Sequence, residues 1–367
     1  IEFYHTTADF SYPYLVLGHS LAKMPIMVQW YSLTSALGGS FWVLVCNLGL
    51  LLLIEKKPSK TFATWLFLLL VLFPCFLSIG IYFEKKSRKP IKEISVLVLH
   101  PSIDVRKRER ENEGGFAIAT KFFSQYLDSV SRNVELHLWP ENSIITGGNV
   151  LDMQNGDLQK IADSFGSRNF DLLTGSVLYE IVEDEKERKK RFLDTVQGAK
   201  NTVIYNSGVL LRKEGTIDFT TKQKLAPIEE YRFPNQPVLF WLSNHVNRLG
   251  GFNFSKHQDF ARTLTLSNGM KVGNMICFES FFSGVLKRIL VEKPDFFTVM
   301  LNEDWYRNEH GSEKTLLAMQ SRAIESSKYF VRSSNGGYSG MVNHLGEVEE
   351  LIKSKNPTVA KFVVKIF

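Results

Sequence analysis

Three ionisable residues in the second half of the chain could together carry out acyl transfer. Glu141 follows the run ELHLWP, Lys222 lies in TTKQKLAPIEEY, and Cys277 follows the apolar run VGNMI. A cysteine thiolate is a nucleophile, and a carboxylate within hydrogen-bonding reach can take its proton. A lysine ammonium nearby can stabilise the oxyanion of a tetrahedral intermediate. Sequence spacing does not show that the three side chains meet, so this set is a hypothesis.

Each of these residues also has an ordinary structural interpretation. Cys277 could fill space in a core, because free cysteine is among the most buried residue types, and Glu141 and Lys222 could be solvated surface residues. A cysteine–histidine pair receives no support, since none of the eight histidines lies in a local pattern that marks a base. The three cysteines form no C-x-x-C pair, so neither a structural zinc site nor a disulfide framework is expected.

The elements that must position these residues are predicted for the second part of the chain as alternating strands and helices. EISVLVLH (93–100) is a short β-branched run typical of a buried strand. Helices are predicted over 116–130 and 314–327. Strands and helices that alternate in this way predict an α/β sandwich with central sheets. The further predicted strands are 134–140, 170–179, 201–212, 271–279, 295–302 and 328–335.

The first part of the chain has a different composition. Residues 24–54 and 61–83 contain no charged side chain, and each run exceeds the roughly 20 residues that a helix needs to cross a hydrocarbon core. Neither run has a polar face, which disfavours two buried helices of a soluble domain. We therefore predict membrane spans over 30–54 and 61–83. The predicted domains are a membrane domain (1–90) and a catalytic domain (91–367).

The net charge of +6 is modest and lies partly in basic clusters next to the two spans. One cluster, Lys56–Lys60, lies between the spans and another, Lys85–Lys89, follows them, so the positive-inside rule leaves the orientation open. Basic residues at such places attract anionic lipid head groups. The chain shows no basic stripe interleaved with aromatics, no zinc-knuckle spacing and no helix-turn-helix pattern. Nucleic acid is therefore not an expected partner.

Five motifs follow one another in a specific order. They are LWPENSI (138–144), KQKLAPIEEY (222–231), NMICFES (274–280), LNEDWY (301–306) and SRAIESSKYFVRSSNGGYSG (321–340). Together they resemble the successive motifs of the nitrilase superfamily, and more closely those of its membrane-bound branch, the apolipoprotein N-acyltransferases. In that family a glutamate follows W-P, a lysine precedes L-x-P-x-x-E-Y, and a cysteine lies in I-C-[YF]-E. The resemblance implies a nitrilase-like α-β-β-α sandwich preceded by transmembrane helices.

For the three residues of the opening hypothesis, the resemblance implies Glu141 as general base and acid, Lys222 as oxyanion stabiliser and Cys277 as nucleophile. The implied reaction moves a fatty acyl chain from a membrane phospholipid, through a cysteine thioester, to the N-terminal amine of a lipidated cysteine of an apolipoprotein. No metal or other cofactor is implied, and we expect a monomer. The implied location is the bacterial cytoplasmic (inner) membrane, multi-pass, with the catalytic domain on the periplasmic side.

The resemblance also implies supporting roles for residues around this set. Glu230 would be a supporting carboxylate, Glu279 a structural one, and the backbone N–H of Phe278 would complete the oxyanion hole. Asn206 matches a family asparagine near the site, and Trp305 matches an aromatic on a mobile active-site loop. Trp305 would otherwise be core packing, and Glu279 a salt-bridge partner.

The chain departs from the family pattern in several places. LVLHPSI, with His100 and Pro101, replaces the V-Q-x-N that usually opens the domain, and NEDW replaces N-D-x-W. The family normally has more spans before the domain and one after it, so we expect this chain to be a fragment. Two rival hypotheses remain: a membrane-tethered amidase or nitrile hydrolase with water as acceptor, and a catalytically silent membrane scaffold.

Overall fold

The structure of the chain is a computed structural model, and part of the sequence is described in it. The described residues are 2–7, 11–55, 60–104, 134–150, 158–159, 169–183, 202–227, 230, 254, 262–306 and 309–367. The helix predicted over 116–130 lies outside these residues.

The segment before the first strand is helical over most of its described length. Short 3-10 turns at Pro13–Leu15 and Pro25–Met27 separate its helices. The helices are α1 (Glu2–Thr7), α2 (Leu17–Leu21), α3 (Tyr31–Glu55) and α4 (Lys60–Lys86).

The two long helices agree with the two predicted spans. Both α3 and α4 are long and apolar enough to cross a membrane, and only 11% of the apolar window of each is buried against the protein. A core helix of a soluble protein would bury most of that surface. The backbone of α3 departs from helical geometry at Ser35 (φ 63°, ψ 178°), and α4 contains Pro74. The helix α4 continues through Pro74, whereas the break at Ser35 was not predicted from the sequence.

Strands dominate the part of the chain after α4. The described strands are β1 (Lys92–His100), β2 (Leu136–Leu138), β3 (Ile144–Asn149), β4 (Asp171–Ile181), β5 (Thr202–Leu211), β6 (Ile217–Thr221), β7 (Thr263–Thr265), β8 (Lys271–Ile276), β9 (Phe296–Asn302), β10 (Phe330–Asn335), β11 (Ser339–Val342), β12 (Val348–Ile352) and β13 (Thr358–Ile366).

These strands form two mixed sheets with a similar plan. The first sheet has the order β13-β1-β2-β4-β5-β6, with β3 also paired to β4, and the second has the order β12-β11-β10-β9-β8-β7. Three strands along the main path of each sheet run parallel: β1, β2 and β4 in the first, and β8, β9 and β10 in the second. In the first sheet β3 also pairs with β4 in parallel. Antiparallel strands flank them on both sides. The carboxyl ends of each parallel trio therefore lie at one edge, where sites in α/β proteins gather.

Apolar side chains of the two sheets pack face to face. Val98 and Leu138 of the first sheet share a buried cluster with Val272, Phe296 and Val331 of the second. Two further helices, α5 (Ser283–Leu290) and α6 (Glu309–Ser326), cover the outer face of the second sheet. Two facing sheets with a helical outer layer are the predicted α/β sandwich.

Contacts between α6 and the first turn of α3 explain the irregular backbone at Ser35. The N–H of Ala36, which the break frees from the helix, donates to Glu325 Oε1 at 2.9 Å. Glu325 also accepts from Arg322 Nη2 at 2.6 Å, and both side chains are almost fully buried. A tertiary carboxylate thus replaces the missing backbone acceptor, and local sequence could not predict that partner.

Two other local predictions differ from the structure for identifiable reasons. The strand predicted over 271–279 ends at Ile276, because Cys277 adopts a left-handed backbone (φ 51°) and begins a 3-10 helix, Cys277–Phe281. His100, where the chain departs from the family pattern, is fully buried. Its ring nitrogens bond to Ser339 Oγ and to the Ser354 carbonyl, both at 2.8 Å. His100 therefore connects β1 to the region of β11 and β12.

Candidate active site

Glu141 lies just beyond the end of β2, at the carboxyl edge of the parallel strands. The loop that carries it runs very close to β4: a Cβ added at Gly175 would lie 2.5 Å from both Glu141 Cα and the Pro140 carbonyl oxygen. The Gly175 N–H donates to that carbonyl at 3.2 Å. Only glycine permits this approach, and the glycine inside the run DLLTGSV was the sequence signal for it.

Lys222 and Asn206 reach the same region from two other strands of the first sheet. Asn206 lies on β5, Lys222 directly follows β6, and the Lys222 N–H donates to the Asn206 carbonyl at 2.8 Å. Both residues are 1% exposed. This backbone hydrogen bond fixes the position of Lys222 relative to Asn206, so that the Asn206 amide and the Lys222 ammonium both point toward Glu141.

The side chains of these residues form one buried hydrogen-bonded cluster with Glu230. Lys222 Nζ lies 2.9 Å from Glu141 Oε1 and 2.9 Å from Glu230 Oε1. Asn206 Nδ2 donates to the same two oxygens at 2.7 and 2.8 Å. The other oxygen of Glu230 accepts from the Ala226 N–H at 2.7 Å. The cluster therefore holds two carboxylates around one cation and one amide.

The charge of Lys222 is maintained by this arrangement. Burial acts against an ammonium, but the charges of Glu141 and Glu230 outweigh it and raise the pKa of Lys222 well above its ordinary value. An ammonium has three donors, and two of them bind the carboxylates. The third donor binds neither carboxylate and can bind an oxyanion.

Cys277 lies at a sharp bend between β8 and the 3-10 helix that follows. Its positive φ of 51° is unusual for a residue with a side chain, and such backbone strain clusters at functional sites. The residue remains partly exposed. Desolvation is the largest influence on its thiol and, together with the charge of Glu141 and a hydrogen bond to that carboxylate, raises its pKa well above the ordinary value. Lys222 lowers that pKa, but not enough to compensate.

The Cys277 side chain is therefore a neutral thiol next to a carboxylate. Glu141 is close enough to Cys277 to act on it by charge and by hydrogen bonding. Attack on a carbonyl would pass the thiol proton to that carboxylate, which is general-base assistance rather than attack by a pre-formed thiolate.

Glu279 joins the loop of Lys222 to the loop of Cys277. Its Oε1 accepts from the N–H groups of Gln223 (2.6 Å) and Lys224 (3.2 Å), and its Oε2 accepts from the Ile276 N–H at 2.8 Å. Burial raises the pKa of Glu279 to about 7, and these backbone donors oppose the rise. The Glu279 carboxylate thus binds backbone donors in both loops and holds them together. The sequence analysis gave a salt bridge as the alternative role of this residue.

The remaining predicted residues lie around this centre. Phe278 follows Cys277, and its side chain is buried against Phe281 and Phe282. Trp305 lies beyond β9 and is 44% exposed. The structure thus brings Glu141, Asn206, Lys222, Glu230 and Cys277 together, and it leaves Trp305 largely open to solvent. The roles assigned to all eight residues stay predictions.

Sequence reasoning missed a pair of tyrosines, of which one, Tyr306, lies near the thiol. Tyr306 is near enough to Cys277 that a charge on the sulfur affects its hydroxyl; burial is the larger cause, and both raise the pKa of Tyr306. Its hydroxyl lies 3.2 Å from that of Tyr14. Tyr306 directly follows the predicted Trp305, whereas nothing in the first 30 residues indicated that Tyr14 would reach the site.

The described residues offer no evident metal site. Within the ranges given above, no three or more histidine, cysteine, aspartate or glutamate side chains are arranged to hold a metal ion. The cation next to the carboxylates is the lysine ammonium.

Comparisons with known proteins agree with this geometry. A family model described as carbon-nitrogen hydrolase matches residues 123–352. The crystal structure of Saccharomyces cerevisiae Nit3, a member of branch 10 of the nitrilase superfamily, superposes with a TM-score of 0.51 at 14% identity, over 76% of this chain and 92% of that chain. The predicted nitrilase-like sandwich is confirmed.

Curated relatives extend the similarity toward the N-terminus. Proteins named apolipoprotein N-acyltransferase from Chlorobaculum tepidum and Aquifex aeolicus are 25% and 24% identical over 345 and 340 residues, each covering 92% of this chain. One from Pseudomonas aeruginosa is 26% identical over 222 residues, 59% of this chain. The chain spans 64%, 67% and 38% of the lengths of these three relatives.

Proposed function

Because this chain belongs to the carbon-nitrogen hydrolase family, whose model matches more than half of it, we propose that it acts as a membrane N-acyltransferase. It takes a fatty acyl chain from a membrane phospholipid and passes it, through a thioester on Cys277, to the N-terminal amine of a lipidated cysteine of an apolipoprotein. The observation that carries the proposal is the buried bridge from Lys222 to Glu141 and Glu230 beside the thiol.

The extent of the similarity favours acyl transfer over hydrolysis. Residues 91–367 make up about three quarters of the chain, whereas the matches to the Chlorobaculum tepidum and Aquifex aeolicus proteins named N-acyltransferase each cover 92% of it. The similarity therefore extends into the apolar helices. Acyl chains cost about 0.8 kcal/mol per CH₂ to expose to water, so helices that hold the site at a bilayer serve a reaction between two lipids.

The first step forms the thioester. Cys277 Sγ attacks the ester carbonyl carbon of the phospholipid while its proton passes to Glu141. Lys222 and the backbone N–H of Phe278 stabilise the oxyanion. The C–O bond to the glycerol then breaks, and Glu141 returns the proton to the departing alkoxide. The products of this step are the acyl-enzyme and a lysophospholipid.

The second step transfers the acyl chain to nitrogen. The free amine attacks the thioester carbonyl, Glu141 takes a proton from that amine, and the C–S bond breaks. The released sulfur recovers the proton, and an amide leaves the site. Through both steps Glu230 holds the Lys222 ammonium, and the Asn206 amide holds the carboxylates of Glu141 and Glu230.

The proposed location follows from the substrates. We place the chain in the bacterial cytoplasmic membrane with the catalytic domain on the periplasmic side and the Lys56–Lys60 loop inside. All three cysteines are free thiols, so Cys277 has no disulfide partner in an oxidising compartment and remains available as a nucleophile.

Intact mass spectrometry of the detergent-solubilised chain tests the proposal. Incubation with phospholipid is expected to add the mass of one acyl chain to the protein. Addition of a diacylglyceryl-cysteine peptide is expected to remove that mass from the protein and add it to the peptide. Cys277→Ala should abolish the adduct, whereas a matched Cys46→Ala/Cys75→Ala variant should keep it. No adduct with any phospholipid, together with ammonia release from simple amides, would assign the chain to the hydrolases.

A further inference from the structure

We propose that the hydroxyl pair Tyr14–Tyr306 partly covers the Cys277 centre and so determines how much of the acyl-enzyme is transferred to an amine rather than hydrolysed. The chemical part of this inference rests on the proposed function, whereas the position of the tyrosine pair does not depend on that function. The two residues come from opposite ends of the chain, 292 positions apart, and their hydroxyl oxygens lie 3.2 Å from each other.

Tyr306 is held rigidly in the catalytic domain. Its N–H donates to the Glu303 carbonyl at 2.9 Å, and the Glu303 carboxylate forms a fully buried salt bridge with Arg332 at 2.8 Å. The Tyr306 ring rests directly on α6, where a Cβ added at Gly311 would lie 2.5 Å from it. The ring therefore has a fixed position, close enough to Cys277 that a thiolate there would raise the pKa of its hydroxyl.

Tyr14 approaches from the segment that precedes the first membrane helix. Its ring lies 4.5 Å from the ring of Phe281 and 5.8 Å from that of Phe278, the residue after the nucleophile. A second contact docks the same segment: Lys224 Nζ, in the loop of the catalytic lysine, donates to the Thr7 carbonyl at 2.9 Å. The membrane-side segment thus contacts both loops that carry the proposed catalytic residues.

Such a cover affects which of two nucleophiles, the amine or water, reacts with the acyl-enzyme. In transfer, the amine nitrogen attacks the thioester carbon, the C–S bond breaks, and the thiol recovers a proton from the nitrogen. In hydrolysis, water attacks the same carbon, the same bond breaks, and a free fatty acid leaves. Both routes regenerate the thiol, so the ratio of products depends on which nucleophile reaches the carbon. Two aromatic rings joined by a hydrogen bond exclude water from that approach.

Alkylation of Cys277 by iodoacetamide tests the cover without any lipid. Tyr14→Phe and Tyr306→Phe each remove one hydroxyl and keep the ring. The rate of alkylation of Cys277, followed by peptide mapping, should therefore rise roughly 2- to 10-fold, which corresponds to the loss of one neutral hydrogen bond. The rise should be the same at every pH, since access and not the thiol pKa has changed. Tyr4→Phe, an exposed tyrosine of the same segment, is the control and should match the parent chain.

A double-variant cycle and a steric variant make the test sharper. Tyr14→Phe/Tyr306→Phe should equal either single variant, because all three lose the same bond. Gly311→Ala should give a similar rise by displacing the Tyr306 ring, in a helix that alanine favours. Alkylation rates equal to the parent in both single variants would overturn the proposal, as would additive effects in the double variant.

The product ratio of the acyl-enzyme gives the second readout. After loading with phospholipid, both single variants should acquire the adduct as fast as the parent chain and release roughly 2- to 10-fold more free fatty acid per amide formed. An unchanged ratio would overturn the assignment. If the parent chain forms no adduct, the proposed function fails, and the alkylation comparison still decides whether the tyrosine pair covers the thiol.

Discussion

Replacement of Lys222 by methionine should destabilise the protein strongly, because it removes the cation that, among the described residues, binds both carboxylates of the buried cluster. Lys222 Nζ lies 2.9 Å from an oxygen of Glu141 and of Glu230, and the three side chains are between 1% and 12% exposed. Removing one partner of a buried ion pair costs about 3–5 kcal/mol. For a domain of this size, that corresponds to a fall in Tm on the order of 10 °C.

The physical reason is that two buried carboxylates would then share one amide. Asn206 Nδ2 donates to both of them, but it carries no net charge to offset two anions. The variant should therefore be clearly less stable than the parent chain at pH 8.

Thermal unfolding in detergent at pH 8 is the assay. Lys222→Met/Glu230→Gln should recover most of the lost stability, since a single carboxylate then remains with Asn206, yet it should form no acyl adduct. Lys213→Met, at an exposed lysine between β5 and β6, should change the unfolding free energy by less than about 0.5 kcal/mol. A Lys222→Met variant as stable as the parent at pH 8, or a double variant no more stable than the single one, would refute the reasoning.

Three further predictions concern the same centre and its support. Burial and the charge of Glu141 both raise the pKa of the Cys277 thiol. Glu141→Gln removes that charge, so the midpoint of the alkylation pH profile should fall while acyl transfer is lost. A rise of the midpoint would contradict the assignment. Gly175→Ala should slow acylation by roughly 100-fold by displacing Glu141, whereas Gly284→Ala, with nothing within 4 Å of the new Cβ, should leave the rate unchanged. Glu303→Gln should cost about 3–5 kcal/mol of unfolding free energy by leaving its buried arginine partner uncompensated, and a Tm within 2–3 °C of the parent would argue against that.

Local patterns were sufficient for several parts of the architecture. Two long charge-free runs predicted α3 and α4, because a chain in a hydrocarbon core must satisfy its backbone hydrogen bonds within the segment. Short β-branched runs predicted β1, β4 and β9, since buried parallel strands are apolar on both faces. The order of the five motifs led to the nitrilase superfamily, which the family match confirmed.

Less regular elements were not predictable in this way. The predictions omitted the short or amphipathic strands β3, β6, β7, β11, β12 and β13, whose residues are partly exposed or turn-rich. Much of their stability comes from pairing with a neighbouring strand, and a single sequence does not contain that partner. The break at Ser35 was missed for the same reason, since its stabilising acceptor, Glu325, is 290 positions away.

The amino-acid sequence by itself determined which residue types could do chemistry, because Glu141, Lys222 and Cys277 lie in recognisable local contexts. Only the tertiary structure decided that Glu141 and Lys222, 81 positions apart, are 2.9 Å from each other with one amide binding both carboxylates, and that Tyr14 reaches Tyr306. Periodicity and motif order report interactions within a few residues along the chain. Charge balance, thiol pKa and the exclusion of water depend instead on groups that meet only after the two sheets and the membrane-side segment have packed together.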